Sequence, residues 1–174
     1  MKRIAKFHKV SEERFLADWL DCFPESSAEE AKEIYEKIRL PRRATAGSAG
    51  YDFFAPKDFS LAPGEILKFP TGIRAEMQPE WVLKCYPRSG LGFKYRLQLN
   101  NTVGIIDSDY FYSDNEGHIF VKLTNDGREG KTVEILAGTG FMQGIFVEYG
   151  ITVDDAATEI RNGGFGSTTR TNND

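Results

Sequence analysis

The stretch NTVGIIDSDY, from Asn101 to Tyr110, joins an apolar segment to two acidic residues. Residues Val103 to Ile106 are typical of the end of a buried strand, and the chain leaving this strand carries Asp107 and Asp109. In an extended segment both carboxylates point the same way. A carboxylate at a strand exit can take a proton from water, so Asp107 is a candidate catalytic base. The alternative is that Asp-Ser-Asp is only turn composition at a strand end.

A second stretch, residues 87–90 (Pro-Arg-Ser-Gly), reads as a loop at a strand end. It offers a cation, a hydroxyl group and backbone N–H groups beside a sterically open glycine, and such a loop can bind phosphate. A covalent role for Ser89 is disfavoured because no GxSxG elbow surrounds it and the chain has only two histidines to act as a base.

The composition limits the classes of protein that remain. With 174 residues, 40% of them hydrophobic, the chain can form one domain with a core. The net charge of -4 disfavours a surface for nucleic acid or for an anionic membrane. Cys22 and Cys85 are far apart and form no CxxC motif, so no disulfide framework is indicated. The two histidines do not have the spacing of metal ligands, so no zinc finger is indicated either. No segment resembles a signal peptide or approaches the ~20 apolar residues of a membrane helix, so we expect a cytoplasmic protein.

The region from Ala44 to Val153 consists of short apolar segments separated by Pro and Gly residues. This spacing predicts an all-β sandwich or barrel and no helices within the region. A first strand is predicted from Ile4 to Val10. In such a fold, turns at the strand ends would present both candidate stretches.

Two helices are predicted between the first strand and the β-rich region. Ser11 can begin the first, and an apolar stripe from Phe15 to Phe23 continues it. A capping box that starts at Ser26 or at Ser27 can begin the second, whose apolar face extends to Ile38. We expect this helical pair to pack on the β domain.

Five stretches resemble, in the same order, the motifs of the trimeric dUTP pyrophosphatases (dUTPases). They are AGYDFFA (Ala49–Ala55), PRSGLGFK (Pro87–Lys94), GIIDSDY (Gly104–Tyr110), a GxxxxQ remnant that ends at Gln143, and GGFGST (Gly163–Thr168). The resemblance implies a jelly-roll-like β-barrel that hydrolyses dUTP to dUMP and pyrophosphate. That reaction would limit uracil in DNA and supply dUMP for dTTP synthesis.

The resemblance also implies roles for single residues. Asp107 would activate the water that attacks the α-phosphorus, and Asp52 would bond to waters on a Mg²⁺ ion that has no direct protein ligand. Asn101 would bond to uracil, and Tyr110 would pack on the deoxyribose and exclude a 2'-hydroxyl group. The full set of substrate-binding residues implied in this way is Arg88, Ser89, Gly90, Asn101, Tyr110, Gln143, Arg161, Phe165, Gly166, Ser167 and Thr168.

The same resemblance predicts how the chain is organised. Residues 1–160 would form a single β domain, and residues 161–174 would form a flexible lid in which Phe165 lies on the base and Arg161 contacts the terminal phosphate. The family forms homotrimers whose sites combine segments of different subunits. The expected partners are therefore dUTP and further copies of this chain.

Two stretches depart from the family pattern. Residues 11–40 look like a helical insertion, for which we leave a protein partner open, and residues 111–117 look lengthened. In the fourth motif, Thr139 and Gly140 occupy the places that usually hold Asp and Arg.

Two alternatives to a dUTPase stay open at this point. A dCTP deaminase-like enzyme would share the fold, but Gly90 stands where those enzymes tend to have a second serine, and Tyr110 directly follows Asp109. The other alternative is a dUTPase-like regulatory protein whose binding of a partner is switched by nucleotide. The sequence favours the enzyme, because the reactive side chains are present.

Overall fold

The structure is a computed structural model, and it describes residues 1–161. The strands are β1 (Ala5–Lys9), β2 (Arg42–Arg43), β3 (Tyr51–Phe54), β4 (Phe59–Leu61), β5 (Ile66–Pro70), β6 (Ile73–Met77), β7 (Trp81–Pro87), β8 (Leu97–Leu99), β9 (Gly104–Ile106), β10 (Phe120–Asn125), β11 (Val133–Ile135) and β12 (Gly140–Glu148). The helices are α1 (Glu12–Cys22), α2 (Ala28–Lys37), α3 (Ser89–Tyr95) and a 3-10 helix (Ser108–Tyr112). This architecture confirms the predicted all-β, jelly-roll-like fold with an added helical pair.

The strands form small antiparallel sheets, and the largest has the order β2-β3-β12-β7-β9. In this sheet β12 pairs with the whole of β7, from Met142 opposite Pro87 to Glu148 opposite Trp81. Strand β9 pairs with only the middle of β7, where Ile106 lies opposite Leu83 and Gly104 lies opposite Cys85. Because β9 and β7 are antiparallel, the segments that follow them leave the sheet at opposite ends.

The helical pair shares its core with the sheets. The side chains of Phe15 and Trp19 are fully buried. A series of ring contacts leads from α1 into the sheets: Phe23 lies 6.3 Å from Phe59, and Phe59 stacks on Phe69 at 4.6 Å. Large aromatic side chains contribute most to the burial energy of such a core. The pair therefore packs on the domain as predicted.

The start of α2 settles the choice between the two predicted caps. The Ser27 hydroxyl accepts a hydrogen bond from the Glu30 N–H group at 3.1 Å, as an N-cap does. Ser26 has another role, because its hydroxyl accepts from Trp19 Nε1 and donates to the Glu30 carboxylate.

Two short helical segments lie in the region where the sequence predicted none. Helix α3 occupies the predicted phosphate loop, and the 3-10 helix follows Asp107. Helix α3 has no buried residue and contains Gly90 and Gly92, so it carries no apolar stripe that a sequence pattern could reveal. The strand before Asp107 is also less buried than predicted, since Ile105 is 51% exposed. Within residues 1–161, no helix has the length and apolar character needed to span a membrane.

Candidate active site

The first candidate pocket has a volume of about 260 Å³ and contains Asn101, Asp107, Tyr110 and Arg161. We call it the Asp107 pocket. Its remaining lining is almost entirely apolar and comes from Cys85, Leu99, Gly104, Ile105, Ile106, Ile119, Phe120, Val121 and Met142. The structure thus gathers four of the predicted site residues around one small, largely apolar space.

Asp107 lies at the rim of this pocket, with 45% of its side chain exposed. The chain after it turns into the 3-10 helix, so the predicted extended segment is absent. The two carboxylates nevertheless lie close together, because Arg161 Nη2 donates to Asp107 while Arg161 Nε donates to Asp109 Oδ1 at 2.9 Å. A guanidinium offers several donors in a fixed plane, which allows it to bridge two carboxylates.

Tyr110 lines the pocket with its ring and is itself only 7% exposed. Its hydroxyl donates to the His118 carbonyl at 2.8 Å and accepts from Asn115 Nδ2 at 2.8 Å. Burial raises the pKa of Tyr110, so the hydroxyl remains protonated and able to donate at neutral pH. The ring is therefore both a core aromatic and a pocket wall.

Asn101 lies in the tight connection between β8 and β9. The N–H group of Thr102 donates to the Leu99 carbonyl at 2.8 Å, and that of Val103 donates to the Asn101 carbonyl at 2.7 Å. Thr102 has φ of 66°, which is unfavourable for a β-branched residue and marks a strained turn. A Cβ atom at Gly104 would lie 3.1 Å from the Cys85 Cβ, so the backbone here passes close to β7.

The second candidate pocket has a volume of about 690 Å³ and contains Asp52, Arg88, Ser89, Gly90 and Gln143. We call it the Ser89 pocket. The pairing of the large sheet explains this grouping, since residue 143 of β12 lies opposite residue 52 of β3 and opposite residue 86 of β7. Residues of three predicted motifs therefore lie together on the three inner strands of the sheet, at one end of β7.

An ion pair crosses the Ser89 pocket, where Arg88 Nε lies 3.3 Å from Asp52 Oδ1. The guanidinium covers Gly140, and a Cβ atom there would lie 3.0 Å from Arg88 Nη1. Gly140 replaces the usual arginine of the fourth motif, and it leaves room for Arg88. The Gln143 side chain similarly covers Gly50, where a Cβ atom would lie 2.7 Å from Gln143 Oε1.

The structure does not bring the two pockets together within one chain. Asp107 directly follows Ile106, which lies opposite Leu83 near the start of β7, whereas Ser89 lies just beyond its end. A strand rises about 3.3 Å per residue, so Asp107 and Ser89 are about 20 Å apart along β7. The other predicted site residues, Phe165, Gly166, Ser167 and Thr168, lie outside the described residues.

A comparison with known protein families identifies the chain. The sequence model of the dUTPase family matches residues 36–169. The chain belongs to the dUTPase family. The dUTPase match begins near the end of α2, so α1 and most of α2 precede it.

Relatives in this dUTPase family resemble the chain over most of their length. The deoxyuridine 5'-triphosphate nucleotidohydrolase of Lactococcus lactis is 44% identical over 134 residues, which cover 75% of this chain and 88% of that protein. The protein with the same name from Cronobacter sakazakii is 38% identical over 145 residues, which cover 79% of this chain and 91% of that protein.

Solved dUTPase structures share the fold. The dUTPase of Streptococcus mutans has a TM-score of 0.62 at 33% identity and covers 86% of this chain and 98% of that chain. A dUTPase from the Staphylococcus aureus phage phi11, described with a structural Mg(II) ion, has a TM-score of 0.61 and covers 90% of this chain and 98% of that chain. Its identity is 18%, so this likeness concerns the fold alone.

The sequence did not reveal the polar residues that support Tyr110 from behind. His118 had no assigned role, yet its fully buried ring contacts Asp18 Oδ2 through Nδ1 at 2.6 Å. Asn115 contacts the tyrosine hydroxyl directly. No local sequence pattern indicates the contact between Asp18 and His118, because the two residues are 100 positions apart.

Proposed function

We propose that this protein hydrolyses dUTP to dUMP and pyrophosphate, and so limits uracil in DNA and supplies dUMP for dTTP synthesis. One observation carries this proposal: a small, largely apolar pocket has a carboxylate at its rim, and a separate open pocket holds an arginine, a serine and a glutamine. A nucleoside suits the first, and phosphate groups suit the second. The free thiols of Cys22 and Cys85 are in keeping with a cytoplasmic location.

The Asp107 pocket would bind the nucleoside. The side-chain amide of Asn101 provides both a donor and an acceptor, as the edge of uracil does. The Tyr110 ring would lie against the sugar. Because two hydrogen bonds hold its hydroxyl, the ring cannot move to make room for a 2'-hydroxyl group.

Asp107 would act as the general base. Its exposed carboxylate would accept a proton from water as the water oxygen forms a bond to the α-phosphorus. The bond from the α-phosphorus to the bridging oxygen would break, and pyrophosphate would leave with the electron pair. A positioned base of this kind contributes about 10²- to 10⁴-fold to the rate.

The Ser89 pocket would bind the phosphates. Arg88 would form charge-assisted hydrogen bonds, and the Ser89 hydroxyl and the Gln143 amide would donate to phosphate oxygens. The backbone N–H groups of Ser89 and Gly90 begin α3, where a helix leaves its first N–H groups without an intrahelical acceptor. Nothing lies within 4 Å of a Cβ position at Gly90, so a phosphate can approach the backbone.

Mg²⁺ is the proposed cofactor. Asp52 faces the Ser89 pocket, and with one carboxylate oxygen near Arg88 it keeps a second oxygen to accept a hydrogen bond from a metal-bound water. A single carboxylate in this position fits an ion that is carried on substrate phosphates and retains its waters. When bound, Mg²⁺ would neutralise the charge that develops on the phosphate oxygens.

The active enzyme is proposed to be a homotrimer with shared sites. A water that attacks the α-phosphorus must contact Asp107 while the same triphosphate contacts Ser89. The separation of about 20 Å between these residues argues against such contact within one chain. A site that combines the Asp107 pocket of one subunit with the Ser89 pocket of another removes this conflict, and in a cyclic trimer it is repeated three times.

Pyrophosphate release from dUTP, dCTP, dTTP and UTP in the presence of Mg²⁺ tests the proposed reaction. We expect rapid release from dUTP only, and loss of release when EDTA removes the metal. Ammonia release from dCTP would instead indicate a deaminase, and tight dUTP binding without turnover would indicate a binding protein. Either result would refute the proposed function.

A further inference from the structure

We propose that Asp18 and His118 are positioning residues for Tyr110, so that helix α1 sets the shape of the Asp107 pocket where the sugar binds. The inference rests on the proposed function, and it concerns the choice between deoxyribose and ribose. Neither residue lines the pocket. Both would act through the contacts behind the Tyr110 ring.

Two hydrogen bonds hold the Tyr110 hydroxyl in place. Both of its hydrogen-bond partners, the His118 carbonyl and the Asn115 amide, belong to the segment that connects the 3-10 helix to β10. The ring can hold its position only if this segment does. The His118 side chain of this segment has no exposed surface.

The His118 ring is fixed at both nitrogens. Nε2 accepts a hydrogen bond from the Gly72 N–H group at 2.8 Å, so Nδ1 carries the proton and donates it to Asp18 Oδ2 at 2.6 Å. Burial lowers the pKa of His118 despite the opposing effect of Asp18, so the ring stays neutral in this arrangement. The ring of Phe15 lies 6.1 Å away and covers it from α1.

Asp18 is held as a charged acceptor on α1. Arg14 donates to it twice, from Nη2 at 2.5 Å and from Nε at 3.0 Å. Burial raises the pKa of Asp18, but the hydrogen bonds from His118 and Arg14 outweigh that effect, and the pKa is lowered overall. Short polar contacts therefore connect Arg14 to Asp18 and Asp18 to the His118 ring. The His118 carbonyl then accepts from the Tyr110 hydroxyl.

A second contact ties the same segment to the start of α1. The Glu116 carboxylate accepts from the Ser11 N–H group at 2.8 Å and from the Ser11 hydroxyl at 2.6 Å. Gly117 has φ of 68°, and a Cβ atom there would lie 2.6 Å from the Tyr110 carbonyl oxygen. The two stretches that depart from the family pattern, residues 11–40 and 111–117, thus meet directly behind the Asp107 pocket.

The consequence of removing Asp18 follows from these contacts. The Nδ1–H group of His118 would lose its acceptor inside the core, and a buried unpaired donor is unfavourable enough that the ring must move or admit water. The His118 carbonyl and the Tyr110 hydroxyl would move with it. The space beside the sugar would widen, whereas Asp107 would keep its place at the end of β9.

The test compares Asp18→Ala with Asp21→Ala, which removes an exposed carboxylate from the same helix. Both are made in the full chain, and kcat and KM are measured for dUTP and UTP. We expect the dUTP/UTP ratio of kcat/KM to fall about tenfold in Asp18→Ala, mainly through KM, with kcat for dUTP within about threefold of wild type. Asp21→Ala should match the wild type. Asp18→Asn retains an oxygen that can accept from His118 Nδ1–H, so it should recover most of the selectivity.

Thermal unfolding separates this role from a general loss of stability. A folded Asp18→Ala variant with a lower Tm and a selectivity within about twofold of wild type would overturn the inference. If Asp18→Ala does not fold, Asp18→Ser takes its place, because its hydroxyl is one bond shorter than the carboxylate that reaches His118 Nδ1. Asp21→Ser is its control on α1, and the same criterion applies. The relative affinity for dUMP and UMP reports on the pocket without turnover. A wild-type protein inactive on dUTP would therefore refute the proposed function while this binding ratio still tests the role of Asp18.

Discussion

The two pockets differ in how their side chains are held. In the Asp107 pocket, Tyr110 is buried and has two hydrogen bonds behind its ring. In the Ser89 pocket, Arg88 keeps 45% of its side chain exposed and pairs with Asp52 at 3.3 Å. The first pocket is supported by the core and by α1, whereas the second lies at the end of the inner strands and is open to solvent.

This difference suggests a division of tasks. A wall fixed from behind can select by shape, because it cannot move to admit a larger ligand. An exposed cation attracts the phosphates of any nucleotide, and an open glycine lets them reach the backbone N–H groups. Neither group selects a nucleotide by its shape. Changes in the Asp107 pocket should therefore alter chemistry or selectivity, and changes in the Ser89 pocket should weaken all triphosphates alike.

The largest effect is expected for Asp107→Asn, which keeps the shape of the side chain but removes the base. We expect kcat for dUTP to fall about 10²- to 10⁴-fold with nearly unchanged dUTP binding. Asp109→Asn is the matched control, because Asp109 contacts the same Arg161 guanidinium. It should lower kcat less than about tenfold. Equal turnover of Asp107→Asn and wild type would exclude Asp107 as the base.

The next effect is expected for Arg88→Ala in the Ser89 pocket. Loss of a charge-assisted phosphate contact should lower kcat/KM about 10- to 100-fold for dUTP and for UTP alike, which leaves their ratio unchanged. Lys94→Ala, which removes an exposed cation of α3, should have little effect. A large change in the dUTP/UTP ratio on Arg88→Ala would contradict the division between the pockets.

A smaller and more selective effect is expected for Tyr110→Ala. Removal of the ring should lower the dUTP/UTP ratio of kcat/KM about tenfold, because it opens the space for a 2'-hydroxyl group. Steady-state kinetics on both nucleotides measure this ratio. If it stays at the wild-type value, the ring is a core residue without a role in selecting the sugar.

The smallest expected signal comes from mixed trimers, and it tests whether the two pockets belong to different subunits. Asp107→Asn is co-expressed with a chain that carries both Arg88→Ala and Ser89→Ala. With random mixing, about a quarter of the shared sites combine two intact pockets, so activity near a quarter of wild type should return. Activity no higher than that of the separate variants would mean that each chain builds its own site.

Local sequence patterns were sufficient for several features. Ser27 begins α2 because its hydroxyl caps an N–H group three residues later, which is a short-range interaction. The apolar stripe that starts at Phe15 correctly indicated a buried helix face. The family resemblance predicted four residues of the Asp107 pocket and five of the Ser89 pocket, but it did not show that α3 occupies the phosphate loop.

The sequence by itself determined the dUTPase family and where the two long helices form, because motif spacing, helix caps and apolar periodicity are local properties. Only the tertiary structure decided that Asp107 and Ser89 lie at opposite ends of β7, since that follows from the antiparallel register of strands distant in sequence. It also decided that Asp18 of α1 pairs with His118 behind Tyr110. Such pairs form only when folding brings together side chains 100 residues apart, and no local pattern encodes them.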